Sequence, residues 1–260
     1  MLSGDGKSRP RIAVLIAGGR LAHMLVNRLE TQFGALLVLK EEPESKLAIV
    51  RRRARLIGWR QALGQMAFGL LQRLVQRRSA QRLAALWRAH GLNPEPPRSG
   101  WQEIGSVNGS ACRQALRQFR PDVVVVYGTR IIRWRTLGAL AAPFINYHAG
   151  INPKYRGQNG AYWARSRADD AHAGVTIHLV DEGVDTGAVL YQAQVQFARD
   201  DNIATYQHRQ MAVALPLLTR AVEDALAGQL RPRRVNLPSQ QWFHPTLWGY
   251  LKTGILMHVW

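Results

Sequence analysis

Three short runs constrain this chain more than any other feature. Arg11-Ile-Ala-Val-Leu-Ile-Ala17, Asp122-Val-Val-Val-Val-Tyr127 and Phe144-Ile-Asn-Tyr-His148 are nearly unbroken apolar segments rich in β-branched residues. A strand apolar at successive positions buries both faces, the condition of a strand inside a parallel sheet covered by helices. After the first run, Gly18-Gly19 makes a tight turn, and Leu21, Leu25, Val26 and Leu29 recur at helical spacing. Strand, turn and helix in that order predict a doubly wound, mostly parallel, Rossmann-like α/β domain.

Arg20, Leu21 and Ala22 follow Gly19, so the G-x-G-x-x-G dinucleotide fingerprint is absent. Gly19 and Arg20 keep two readings: a plain chain reversal, or a substrate-phosphate site at a helix N-terminus. Patterning further predicts strands over 35–39, 174–180 and 188–197, and helices over 111–119, 158–167 and 203–226. The expected organisation is a catalytic domain over 1–227 and a C-terminal extension over 228–260. The extension reads as irregular and aromatic, with Trp242, Phe243, Trp248, Tyr250 and Trp260 suited to cover the core or a dimer interface.

Residues 45–94 differ in kind. They contain no Asp or Glu, yet carry Arg51, Arg52, Arg53, Arg55, Arg60, Arg73, Arg77, Arg78, Arg82 and Arg88. Interleaved are Trp59, Leu63, Met66, Phe68, Leu70 and Leu74. The segment reads as an insertion of two or more amphipathic helices with basic polar faces. Two readings stand: residues 46–90 meet an anionic membrane surface, or they form a solvated basic pair packed on their own domain. RNA is the weaker reading of the same charge. The whole chain has a formal net charge of +18, which draws in an anionic partner of some kind.

Composition excludes several classes. With 47% hydrophobic and 20% charged residues the chain can bury a core rather than stay disordered. One cysteine, Cys112, excludes a disulfide framework and a cysteine-rich zinc site. The eight histidines show no H-E-x-x-H pattern, so no metal is expected. The early apolar run over 12–17 is too short for a signal-peptide core or a membrane span. A cytoplasmic protein is expected, with peripheral attachment to the inner membrane face left open.

Chemistry concentrates at the end of the third run. Asn146 and His148 are two residues apart in a strand, so their side chains share one face. Polar groups leaving the carboxyl end of a parallel strand stand where open α/β sheets bind ligands. Further on, Asp181-Glu-Gly-Val-Asp185-Thr-Gly187 makes a tight loop between two predicted strands.

At these residues the chain resembles the folate-dependent formyltransferase family, which includes glycinamide ribonucleotide, methionyl-tRNA and sugar N-formyltransferases. Asn146, His148 and Asp185 match its Asn-x-His and distant Asp. Pro153, Tyr155, Arg156 and Gly157 match its Pro-x-aromatic-Arg-Gly loop, and residues 181–187 match its folate-side loop. The resemblance covers residues 10–35 and 105–225. Gly150 stands where the family often has Ser, and the 45–94 insertion replaces a shorter connection. The chain has no room for the C-terminal domain of the tRNA enzyme or the N-terminal regulatory domain of the hydrolases. Met-tRNA and hydrolysis are therefore the weaker expectations.

The resemblance implies an enzyme that moves a formyl group from N10-formyltetrahydrofolate to a small-molecule primary amine. The acceptor would be anionic, a nucleotide- or lipid-linked amino sugar, with no metal involved. Asn146 and a protonated His148 would stabilise the developing oxyanion, while Asp185 would hold His148 and shuttle a proton. The pterin would lie against Arg130, Ile131 and Ile132 on one loop and Val180, Asp181 and Val184 on another. Gly19, Arg20, Tyr155, Arg156, Gly157, Gln158 and Asn159 would face the acceptor. The competing readings are a formyltetrahydrofolate hydrolase and a catalytically inactive, basic membrane- or RNA-binding protein on the same fold. The filled catalytic positions argue against the second.

Overall fold

The computed structural model describes residues 9–260, apart from the side chain of Lys46. Residues 1–8 of the expected catalytic domain, and the Lys46 side chain of the basic segment, lie outside the described residues. The elements in chain order are β1 (Ile12–Ile16), α1 (Arg20–Phe33), β2 (Leu37–Glu41), α2 (Lys46–Ile57), α3 (Trp59–Arg78) and α4 (Ala80–His90). Next come β3 (Gln102–Ile104), α5 (Ser110–Phe119), β4 (Val123–Tyr127), α6 (Trp134–Leu137) and β5 (Phe144–His148). The chain ends through β6 (Arg156–Gly157), α7 (Gly160–Arg165), β7 (Gly174–Leu179), β8 (Val189–Gln194), α8 (Tyr206–Leu226), β9 (Gln241–Trp242) and α9 (Leu247–Met257).

Seven strands form one sheet in the order β3-β2-β1-β4-β5-β7-β8. The first five pair in parallel, and β7 and β8 join antiparallel. All five residues of β1 are buried. Ile12, Val14 and Ile16 face a layer built with α1 and α8, through Leu25, Met211 and Leu218. Ala13 and Leu15 face the opposite layer, with Cys112 and Leu116 of α5. Each Ile or Val so enclosed contributes roughly 1.5–3 kcal/mol. The chain turns left of β1 for β2 and right for β4, so a crevice opens at the carboxyl ends of β1 and β4. Gly18 and Gly19 sit there with φ near +90°, a conformation that L side chains rarely adopt.

The second strand lies at Leu37–Glu41, two residues later than the pattern over 35–39 suggests. Its end is polar because Lys40 pairs with Glu103 of β3 at 3.1 Å and Glu41 is buried against Arg130. β3 itself was unmarked in the sequence, since only Ile104 of its three residues is buried.

The 45–94 segment forms three helices, and they join the core. Phe68 of α3 is 1% exposed and packs on Tyr250 at 5.1 Å between ring centroids. It shares a cluster with Tyr162, Tyr206 and Val259. In α4, Trp87 donates its indole N–H to His208 Nδ1 at 3.0 Å, and Arg82 meets Asp200 and Asp201. Burial pushes His208 down to about 4, so its ring is neutral and free to accept.

The extension over 228–260 is not irregular throughout. Gln241 and Trp242 pair with Arg156 and Gly157, and α9 packs against α3. Two glycines hid that helix: Gly249 lies beside its N-cap Thr246, and Gly254 passes under the Trp260 ring. Among the described residues no helix is long and apolar enough to cross a membrane.

Candidate active site

Asn146 and His148 leave the carboxyl end of β5 on one face, as their spacing requires. β7 runs antiparallel beside β5, and the register sets His178 directly opposite Asn146. The loop after β7 then turns back. Asp185, at φ 52°, swings its carboxylate into the space between these groups.

Four side chains meet there. Asp185 Oδ2 lies 3.3 Å from His148 Nδ1, and Asp185 Oδ1 lies 3.4 Å from His178 Nε2. Asn146 Nδ2 is 3.0 Å from His178 Nε2 and 3.4 Å from Asp185 Oδ1. The Gly157 backbone N–H donates to Asp185 Oδ2 at 2.9 Å. Burial raises the Asp185 carboxyl. The charges of His148 and His178, and the hydrogen bonds from His178 and Gly157, outweigh it and hold the group well below the usual carboxylate range.

The histidines are held from behind. His178 Nδ1 donates to Leu179 O at 2.7 Å, and its Nε2 is turned toward the Asn146 amide and the Asp185 carboxylate. His148 Nε2 donates to Tyr155 O at 2.7 Å, while Nδ1 faces the carboxylate. Both nitrogens of His148 therefore face acceptors, Nε2 the Tyr155 carbonyl and Nδ1 the Asp185 carboxylate. His148 was expected to donate to an oxyanion; here it bridges Tyr155 and Asp185 instead. Gly150 permits this, because a Cβ there would come within 2.5 Å of His148 Nε2 and 2.3 Å of Tyr155 O. The Ser that the family often carries at this position does not fit this placement of the ring.

The other expected site residues divide. Gly157 touches the cluster directly, and Gln158 is exposed beside it. Gly19 and Arg20 are exposed at the crevice, with the Arg20 guanidinium 5.6 Å from the centre of the Trp87 ring. Arg156 donates to Val184 O at 2.7 Å and Ser239 Oγ at 3.1 Å, so it ties two loops together rather than facing an acceptor. Tyr155 does not face the acceptor either. It is 1% exposed, stacks on Trp242 and donates to Asp169 at 2.7 Å. Asn159 is buried against His244 at 3.1 Å. These two are wall residues, because the backbone of the loop, not its side chains, reaches Asp185.

On the expected folate side, Arg130 is locked by Glu41, Glu42 and Gly105. Ile132 is a core residue, while Ile131 is half exposed. Val180 is anchored through its N–H to Phe144 O, and Asp181 caps its own loop through Gly183 and Thr186. Val184 is half-buried, with its carbonyl taken by Arg156. Arg130 and Ile132 thus shape the first loop, and Ile131 presents the apolar surface that a flat ring requires.

His178 is the residue that sequence reasoning passed over. Its signal was one imidazole in an otherwise apolar strand, a pattern usually met in cores. Register alone gives it meaning. Among the described residues no group of three or more His, Cys, Asp and Glu is placed to hold a metal ion. A cleft of about 450 Å³ lies elsewhere, between Tyr191, Arg220, Asp224 and Arg233.

Comparison with known proteins bears on the fold and the family. A methionyl-tRNA formyltransferase of Verminephrobacter eiseniae is 36% identical over 143 residues, covering 54% of this chain and 43% of the relative. Another, from Anaeromyxobacter dehalogenans, is 34% identical over 158 residues, covering 59% and 46%. The chain thus spans less than half the length of these relatives. A sugar N-formyltransferase from Shewanella superposes with a TM-score of 0.57 at 14% identity, covering 90% of this chain and 77% of that one. Glycinamide ribonucleotide transformylase 1 from Symbiobacterium toebii gives 0.57 at 18% identity, covering 90% and 100%. These two likenesses speak to the fold. The sequence profile described as formyl transferase matches residues 88–222, just over half of the chain, and that span contains β4, β5, β7 and Asp185. The chain belongs to the formyl transferase family.

Proposed function

We propose that this protein transfers a formyl group from N10-formyltetrahydrofolate to a primary amine. The observation that carries the reading is the Asp185 carboxylate, shared by two imidazoles and one amide at the carboxyl ends of parallel strands. The donor supplies the formyl group when bound, and the exposed Ile131 with the half-buried Val180 and Val184 are the apolar side chains these loops offer to its ring. Asn146 stands where an amide N–H can be offered to an oxygen that gains negative charge. Asp185, kept ionised, takes up the proton that the attacking amine loses as its bond to the formyl carbon forms. It returns the proton to N10 as the C–N10 bond breaks and tetrahydrofolate leaves. His148 orients the carboxylate through Nδ1.

The acceptor proposed is an amino sugar, nucleotide- or lipid-linked and anionic, which suits the surplus of arginine. The protein would act in the cytoplasm and meet the membrane through residues 46–90. Methionyl-tRNA is the second acceptor reading, favoured by the relatives at 34–36% identity.

The test is a titration with a stable 10-formyl folate analogue, followed by turnover with each acceptor. Asn146→Ala, His148→Ala and Asp185→Ala should each lose about 10²–10⁴-fold in turnover while analogue binding survives. Near-normal turnover in any of them would remove its assigned role. Formate release without any amine would point to a hydrolase, and absence of donor binding to an inactive member of the family.

A further inference from the structure

The apolar groups of α3 do not share one face. The inner side gives Ala62, Gln65 and Phe68 to the core. Another side carries Trp59, Leu63, Met66, Leu70 and Leu74, exposed at 61, 55, 47, 62 and 54%. These follow one another at steps of 4, 3, 4 and 4 residues, so they form one stripe opposite Phe68. The stripe is roughly 22 Å long, the rise of the residues it spans. On α2, Leu47 and Leu56 are exposed too. On α9, Ile255 and Leu256 are exposed, and Lys252 is the single charged side chain of that helix. An apolar surface of this extent marks a contact with something else.

Charge says what that partner is. Arg51, Arg55, Arg60, Arg73, Arg77 and Arg78 are all exposed on α2 and α3. The salt bridges of this segment among the described residues are Arg52 with Glu44 and Arg82 with Asp200 and Asp201, so those six stand outside them. A second copy seated here would bring two such arginine sets together with no acid between 45 and 94 to offset them. RNA would engage the arginines and leave the leucines in water. An anionic bilayer takes both, since lipid phosphates pair with arginine and the acyl boundary receives Trp, Leu and Met.

We propose that α3 lies flat in the headgroup region of an anionic membrane, with the Trp59–Leu74 stripe inserted and Arg73 and Arg77 on lipid phosphates. This deepens the membrane reading of residues 46–90 and rests on it, but not on formyl transfer. The inserted helix also touches the candidate site through a short relay. Gln65 donates to His244 O at 2.9 Å, His244 meets Asn159, and β9 pairs with β6 beside Asp185.

Sedimentation with vesicles tests this. The full protein should pellet with phosphatidylglycerol-containing vesicles at low salt and far less with pure phosphatidylcholine. Leu63→Glu/Leu70→Glu and, separately, Arg73→Glu/Arg77→Glu should each weaken the pelleting at least tenfold. Both variants alter exposed side chains, so thermal melting and binding of the folate analogue should match the parent. Pelleting of Leu63→Glu/Leu70→Glu at the parent level would overturn the proposal, as would equal binding to neutral vesicles or none to either. A dimer seen by light scattering and broken by Leu63→Glu/Leu70→Glu would assign the stripe to a second copy instead. Folate binding measured on the same samples keeps a failure of this face distinct from a failure of the donor reading.

Discussion

The backbone N–H of Gly157 donates to Asp185 at 2.9 Å, and Gly157 is itself paired in register with Trp242. The C-terminal segment thereby supports the central carboxylate through one residue. Gly157 has φ +92°, and a Cβ on it would come within 2.3 Å of Trp242 O. Gly157→Ala should destabilise the protein by about 1–3 kcal/mol. It should also cut turnover by more than its loss of folded protein explains. Melting temperature and turnover per folded molecule, taken together, check this.

His178 is expected to act through Asn146. Removing its ring frees the Asn146 amide to rotate and takes one hydrogen-bonding neighbour from Asp185. His178→Ala should lower kcat by about 10²-fold, the scale of losing one oriented donor, with little change in folate-analogue binding. Unchanged kcat would make His178 a core residue and nothing more.

Asp169 offers a test of acid sensitivity. Burial raises its carboxyl, but hydrogen bonds from Lys154, His172 and Tyr155 outweigh this and hold it down to about 2. The folded value lies below the ordinary one near 4, so its contribution is complete above pH ~4 and lost as pH falls through 2. Asp169→Asn should therefore melt below the parent at pH 6. The two curves should converge near pH 2.5. A constant gap across that range would show that the effect is packing rather than ionisation.

Deleting residues 46–90 is expected to abolish folding, because Phe68, Leu83 and Leu86 are core residues and not the base of an appendage. Phe68→Ala alone should cost about 3–5 kcal/mol, read from denaturant unfolding. A well-folded deletion product that still bound the folate analogue would restore the appendage view.

Much of the architecture was legible because its signals are local. Ile12–Ile16 and Val123–Tyr127 are apolar at nearly every position, and a strand of that kind has one home, inside a covered parallel sheet. Asn146 and His148 were readable as a pair because two-residue spacing fixes a shared face. The second strand was misplaced by two residues because Lys40 and Glu41 look like loop residues until Glu103 and Arg130 come beside them. Tyr155 and Asn159 were assigned to the acceptor from their place in a motif, yet the motif does not say which way a side chain turns from its loop.

The sequence alone determined the layered sheet, the carboxyl-end location of the polar groups and the basic character of 45–94. Each is a matter of composition or period along a few consecutive residues. Only the tertiary structure decided that His178 faces Asn146, that the tail reaches Asp185 through Gly157, and that α3 is apolar on two sides. Those facts rest on antiparallel register and long-range packing. Periodicity reports how often an apolar residue recurs, not which of two apolar faces finds a partner.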